Sequence, residues 1–184
     1  MYHDSVGKTQ LMNQCALKKF REAYYVTIGA DFLTKEITVD DSKTTLQIWD
    51  TAGLDRFETL GPVFYRSADA CVLVFDVNNA KSFDNIEAWH AGFMEVANPR
   101  NPTNYPIILV GNKADKEGTR EVSRERIEEW CQKHDDMPYF ETSAKTGANV
   151  DEAFLSLFTN CKFFNDNPNE EETQPETKDG CIIS

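Results

Sequence analysis

Cationic side chains are in short supply: 19 Lys and Arg stand against 31 Asp and Glu, a formal net charge of −12. Nucleic-acid binding depends on Lys and Arg that neutralise phosphates, so this balance argues against DNA or RNA as partners. Paired cysteines are missing too. The five present, Cys15, Cys71, Cys131, Cys161 and Cys181, are far apart with no C-x-x-C pair. That spacing argues against a zinc site and against a disulfide framework, and it fits a reducing cytosol. No apolar run approaches the roughly 20 residues of a membrane-spanning helix, and no basic stretch followed by an apolar one opens the chain. The expected protein is soluble or held to a membrane only at its end, and it is expected to be a monomer. What is present, 184 residues at 40% apolar and 11% aromatic, fits one domain with a sizeable core.

Two β-branched, alternating stretches, Phe32 to Val39 and Thr44 to Asp50, flank the polar turn Asp40-Asp41-Ser42-Lys43 and read as an antiparallel hairpin. Three apolar runs, Ala70 to Asp76, Pro106 to Asn112 and Pro138 to Thr142, lack alternation and read as strands covered on both faces. Helical spacing separates them. Phe83, Ile86, Trp89 and Phe93 recur at three and four residues, as do Ile127, Trp130 and Cys131, and Val150, Ala153, Phe154, Leu157, Phe158 and Cys161 line one face. Asn149 with Glu152 is expected to form a capping box for that last helix. Strands alternating with helices predict an α/β sheet of mostly parallel strands, with ligands at the strands' carboxyl ends.

Val6-Gly7-Lys8-Thr9 holds what a triphosphate needs. The glycine lets backbone approach the oxygens, the lysine meets the β and γ charges, and the hydroxyl can bind Mg²⁺ ahead of a helix N-terminus. Alone this match is weak. Trp49-Asp50-Thr51-Ala52-Gly53 adds a carboxylate for the metal and a Gly amide for a γ-phosphate at the end of a hairpin strand. Asn112-Lys113-Ala114-Asp115 follows a buried strand, and there a carboxylate can accept two hydrogen bonds from a guanine edge that adenine does not offer. Glu141-Thr142-Ser143-Ala144-Lys145 closes the third purine-side strand with amides for the guanine oxygen. Four such loops in this order, each after a predicted strand, separate a GTP site from a set of ordinary polar turns.

These motifs, with Tyr25-Val26-Thr27-Ile28-Gly29-Ala30-Asp31-Phe32, resemble a small GTPase of the Ras superfamily, Rab family, from residue 4 to about 164. TIGADFLTKE, LDRFETLGPVFYRSADACVLVFDV and PYFETSAK are most similar to its late-endosomal and lysosomal (vacuolar) branch. The resemblance implies an α/β fold of the P-loop NTPase (Rossmann-like) type. This is a three-layer sandwich whose six-stranded, mostly parallel sheet has one antiparallel edge strand and is flanked by five helices. It implies a Mg²⁺-dependent switch between GDP and GTP forms. Ser5, Val6, Gly7, Lys8, Thr9 and Gln10 would serve the phosphates, Thr9, Thr27 and Asp50 the metal, and Gly53 would sense the γ-phosphate. Asn112, Lys113 and Asp115 would hold the base, Ser143, Ala144 and Lys145 its far side, and Phe20 would pack on the purine. Ile28, Phe32, Trp49 and Phe64 would face effectors, although alternation alone does not assign Trp49 to core or surface. An exchange factor, a GTPase-activating protein, a prenyltransferase and a prenyl-binding chaperone are the further partners implied. The setting implied is the cytosol and the cytoplasmic face of endosomal, lysosomal or vacuolar membranes.

The chain departs from this pattern in two places. The family's residue after Thr-Ala-Gly is Gln, which orients the attacking water; here it is Leu54, whose isobutyl group has no donor or acceptor. Slow intrinsic hydrolysis is expected. The first strand is also absent, and the phosphate loop lacks its leading glycines: one is expected where Tyr2 stands and another at or beside Ser5, so either two are substituted or one is deleted and the register shifts. In this fold that strand lies between Thr44 to Asp50 and Ala70 to Asp76. Its loss would leave a gap of about 9–10 Å, two strand spacings, flanked by unpaired backbone groups. A native start further upstream, re-pairing within the chain, and a relative that binds nucleotide poorly or not at all each account for this. The first is favoured because the remaining motifs are intact. The domain is expected over residues 1–164. The stretch from Asn165 to Ser184 carries six acids and one Lys, has no apolar period, and is expected to be a disordered tail. It ends in Cys181-Ile182-Ile183-Ser184, a C-a-a-X pattern whose final Ser favours farnesyl on Cys181. One lipid chain beside Glu170, Glu171, Glu172 and Glu176 predicts reversible membrane association.

Overall fold

A computed structural model describes residues 6–22, 27, 30–39, 42–51, 64–116, 118–166 and 180–183. Its strands are β1 Ala30–Val39, β2 Ser42–Thr51, β3 Ala70–Asp76, β4 Ile107–Asn112, β5 Tyr139–Glu141 and β6 Gly180–Ile183. Its helices are α1 Lys8–Leu17, α2 Ala80–Asp84, α3 Ile86–Ala97, α4 Arg124–Lys133 and α5 Val150–Asp166. The six strands form one sheet in the order β1-β2-β6-β3-β4-β5. The β1/β2 pair is antiparallel, in unbroken register from Ala30↔Thr51 to Val39↔Ser42, and every other pairing is parallel.

The apolar runs of β3 and β4 are buried along their whole length, yet the two-residue period of a strand still sorts them between two cores. Ala70, Val72, Val74, Ile108 and Val110 pack with Leu11, Met12 and Cys15 of α1 and with Phe154, Leu157 and Phe158 of α5. Cys71, Leu73, Phe75, Ile107 and Leu109 pack on the other face with Phe83 of α2, Ile86 and Phe93 of α3, and Ile127 and Cys131 of α4. The result is helix, sheet, helix. β5 differs from expectation, because its three residues are only half-buried at the edge of the sheet. Asn149 also differs: it has a φ of 56°, and its side-chain amide donates to the Glu141 carbonyl at 2.8 Å. It therefore ties the start of α5 to β5.

The larger correction concerns the tail and the gap. Gly180–Ile183, inside the stretch expected to be without order, is a strand lying between β2 and β3. Ile48↔Cys181, Trp49↔Ile182 and Asp50↔Ile183 pair on one side, and Ala70↔Cys181, Cys71↔Ile182 and Val72↔Ile183 on the other. β6 occupies the place between β2 and β3 and pairs with the edges of both. α5 runs to Asp166, two residues past the expected domain end.

At the seam of α3 and α4, Trp130 Nε1 donates to Glu87 Oε2 at 2.9 Å, and His134 Nε2 lies 3.2 Å from the same oxygen. The Trp130 and His134 rings stack at 3.9 Å, and His90 meets the His134 ring edge-on at 4.8 Å. Burial first, and then the charge of His134, hold the His90 imidazole below its ordinary value, with Glu87 pulling the other way. Because the folded form takes up this proton less readily than the unfolded chain, the contribution of His90 is present above the unfolded value of about 6.5. It is lost as pH falls below that value and through the lower folded one. The urea midpoint should therefore decline between pH 7.5 and pH 5.5, and His90→Gln should flatten that decline; an unchanged slope in the variant would remove His90 from this role.

Candidate functional site

The loops between strand ends and helix starts converge at the carboxyl edge of the sheet. Val6 is buried, and Gly7 turns the backbone into α1 with a φ of 95°, a left-handed conformation that favours glycine. An added Cβ at Gly7 would stand 2.5 Å from Asn112 Nδ2, so both backbone angle and space require this residue. α1 then begins without a side-chain cap, so its first N–H groups and positive dipole end are left for an anion. Burial lowers the proton affinity of Lys8, which the nearby charge of Asp50 partly offsets. Gln10 faces elsewhere, with its side-chain oxygen accepting the Arg21 N–H at 3.0 Å.

Three groups predicted to serve a metal meet in one place. Thr9 Oγ1 donates to Asp50 Oδ2 at 2.5 Å, Thr27 Oγ1 donates to the same oxygen at 3.1 Å, and the two hydroxyls are 2.9 Å apart. Asp50 is wholly buried, and its Oδ1 has no hydrogen-bond partner among the described residues. Burial raises its carboxyl, against which the Thr9 hydrogen bond, the Lys8 charge and the Thr27 hydrogen bond act in that order. A buried carboxylate oxygen with nothing to bind is costly. Two hydroxyls and a carboxylate are hard oxygen donors of the kind Mg²⁺ takes alongside phosphate oxygens, so the residues present fit that ion.

On the base side, Asn112 is buried at 1% exposure and joins three loops. Its Nδ2 donates to the Val6 carbonyl at 2.8 Å, and its Oδ1 accepts the Ala144 N–H at 3.1 Å and the Thr142 hydroxyl at 3.4 Å. A carbonyl can only accept and an amide N–H can only donate, which fixes the orientation of the Asn112 side chain. Ser143 Oγ donates to Asp115 Oδ1 at 2.6 Å and so aims the carboxylate assigned to the guanine edge. Lys113 sits at a φ of 64°, with its ammonium 2.7 Å from Asp76 Oδ2. Asp76 and Asn78 were not singled out from sequence. Asp76 holds Lys113, and its other oxygen accepts from Asn78 Nδ2 at 3.1 Å; that same nitrogen also donates to the Lys113 carbonyl. Their signal was a charged residue ending an otherwise apolar strand, Ala70 to Asp76.

Phe20 and Lys145 are exposed, as a base-stacking ring and a base-flanking cation require. The predicted aromatic surface is continuous: Phe32 and Trp49 have ring centroids 5.0 Å apart, and Trp49 and Phe64 4.8 Å. Phe32 is 50% exposed, and Trp49 and Phe64 pack against the core beneath it. Ser5, Ile28, Gly53 and Leu54 lie outside the described residues.

Comparison with known proteins gives the same family. The Ras family model matches residues 2–163. The GTP-binding protein YPTC5 of Chlamydomonas reinhardtii is 56% identical over 157 residues, covering 84% of this chain and 76% of that one. The Ras-related protein Rab-7a of Dictyostelium discoideum is 55% identical over 155 residues, with the same two shares of 84% and 76%. The Ras-related protein RABG3d of Arabidopsis thaliana is 52% identical over 176 residues, covering 95% of this chain and 84% of that one. With the predicted phosphate, metal and base residues gathered at one rim of the sheet, this chain belongs to the Ras family of small GTPases, in the branch of Rab7 and Ypt-type proteins.

Proposed function

We propose that the chain is a guanine-nucleotide switch of membrane trafficking, alternating between GDP and GTP forms with Mg²⁺ and recruiting effectors in its GTP form. The observation that carries this reading is the convergence of Thr9 and Thr27 on Asp50, whose second oxygen has no partner among the described residues. When bound, Mg²⁺ neutralises charge on the β- and γ-phosphates. Thr9 lies at the start of α1 and Thr27 lies ahead of β1, so a metal held by both ties the effector-facing segment to the nucleotide. That linkage converts the presence of a phosphate into the position of a surface. Phe32, Trp49 and Phe64 form the apolar part of that surface, where aromatic anchors supply much of a contact's energy.

An exchange factor and a GTPase-activating protein complete the cycle, with hydrolysis slowed by Leu54. Cys181 takes a prenyl group through a prenyltransferase, and a prenyl-binding chaperone carries the lipid in the cytosol. The chain then associates reversibly, as a monomer, with the cytoplasmic face of endosomal, lysosomal or vacuolar membranes. The names of its Rab7 relatives support this setting. The net charge of −12 gives no support to a nucleic-acid partner.

Titration with a fluorescent GDP, with magnesium and with excess chelator, tests the reading. Binding that needs magnesium and is displaced by GDP but not ADP is the expected result. No binding would leave an interaction protein that keeps the aromatic surface without the switch.

A further inference from the structure

We infer that the central strand β6 and the lipid-acceptor segment are the same residues, so that Cys181 is withheld from prenylation while Gly180–Ile183 lies between β2 and β3. This rests on the reading of Cys181 as a prenyl acceptor given above. The backbone of Cys181 is in register with Ile48 on one side and Ala70 on the other, which is the middle of the sheet and not an edge. Prenyl transfer requires the Cys181 thiol to lose its proton and the sulfur to displace diphosphate from C1 of an isoprenyl diphosphate. A thioether forms and the carbon–oxygen bond to the diphosphate breaks. For that the transferase must take the terminal residues into its own site. A segment paired through its backbone on both sides cannot be there as well.

The fold delivers the tail to this place. Near the end of α5, the Cys161 thiol donates to the Asp69 carbonyl at 3.8 Å, and Asp69 directly precedes Ala70, the partner of Cys181. The last third of α5 therefore passes the end of β3 at which β6 enters. The 13 residues between Asp166 and Gly180 can span at most about 45 Å. Composition agrees. Residues 170–179 carry Glu170, Glu171, Glu172, Glu176 and Asp179, whereas Gly180-Cys181-Ile182-Ile183 is uncharged and holds two β-branched residues suited to a buried strand. When the segment leaves, β2 and β3 each expose a row of N–H and C=O groups. Whatever strand takes that place then frees the tail. While β6 holds that place, lipid transfer to Cys181 is excluded.

Two measurements on the intact purified chain test this. Hydrogen exchange, resolved by NMR, should show the amides of residues 181–183 protected by about tenfold or more over a synthetic peptide of residues 165–184. Farnesyl transfer from farnesyl diphosphate by a purified protein farnesyltransferase should be about tenfold slower to the intact chain than to that peptide, following the fraction of open tail. A variant with a five-residue apolar strand added ahead of Tyr2, able to compete for the same place, should recover the peptide's rate. Equal rates for chain and peptide would overturn the competition, and unprotected amides would overturn the strand. A peptide that accepts no lipid would remove the acceptor reading instead, a result distinct from both.

Discussion

Asn112→Ala is expected to lower the thermal midpoint by roughly 5–15 °C and to abolish measurable GDP binding, while Asp115→Ala leaves the midpoint within about 2 °C and weakens GDP alone. The two residues stand three apart, at the end of β4 and in the turn after it, and the resemblance assigns both to the base, yet their surroundings differ. Asn112 is buried, and its amide group satisfies the Val6 carbonyl, the Ala144 N–H and the Thr142 hydroxyl. Truncation strands all three at once, and each buried polar group left unmade costs about 1–3 kcal/mol. The Thr142 contact, at 3.4 Å, is the weakest, so a total of about 2–5 kcal/mol is expected, a large part of the ~5–15 kcal/mol that keeps a domain folded. Asp115 is exposed, and its hydrogen bond within the described residues comes from Ser143. Its removal costs little stability and takes away the carboxylate that would distinguish guanine. Calorimetry and fluorescent GDP titration on the same preparations separate the two roles. Equal loss of stability in both variants would show that Asn112 is not the fastener its contacts make it.

The contrast between these residues also marks what the sequence made legible. Residue type and order were sufficient to place Lys8, Thr9, Asp50, Asn112 and Asp115 at one rim, because each ends or follows an apolar strand or opens a helix and needs no knowledge of its neighbours. Strands β3 and β4 were legible for the same reason, as unbroken apolar runs with defined ends. The work of Asp76 was not. It depends on β3 and β4 lying side by side with Asp76 opposite Asn112, which places the next residue, Lys113, within reach, and no local pattern carries that juxtaposition. Trp49 stayed undecided because alternation gives the side of a strand without saying what covers that side; Phe64, fifteen positions on, supplies the answer. The tail shows the same limit in a stronger form. Gly180–Ile183 reads as a lipid signal when taken alone, and as a strand only when the place between β2 and β3 is considered with it.

Leu54→Gln is expected to raise the single-turnover rate of GTP hydrolysis by roughly 10- to 100-fold, or about 1.4–2.8 kcal/mol of barrier, with GDP affinity unchanged. The reaction asks little covalent chemistry of the protein. In the proposed switch, charge on the transferring phosphoryl group would be met by Lys8, by the metal that Thr9, Thr27 and Asp50 would hold, and by the N-terminus of α1. All of these are present in the parent chain, so binding and ground-state electrostatics do not change with residue 54. What residue 54 of the parent does not supply is a group that accepts and donates hydrogen bonds to the attacking water. A Leu side chain offers neither, so the expected cost is that of a water not held in line for attack by this residue. Gln supplies both functions in one amide, which confines the effect to the chemical step. The increase should appear in single-turnover kinetics and be missing from nucleotide association and dissociation. A rate that does not move on restoring Gln would mean that another group already orients the water, and slow hydrolysis would then no longer follow from Leu54.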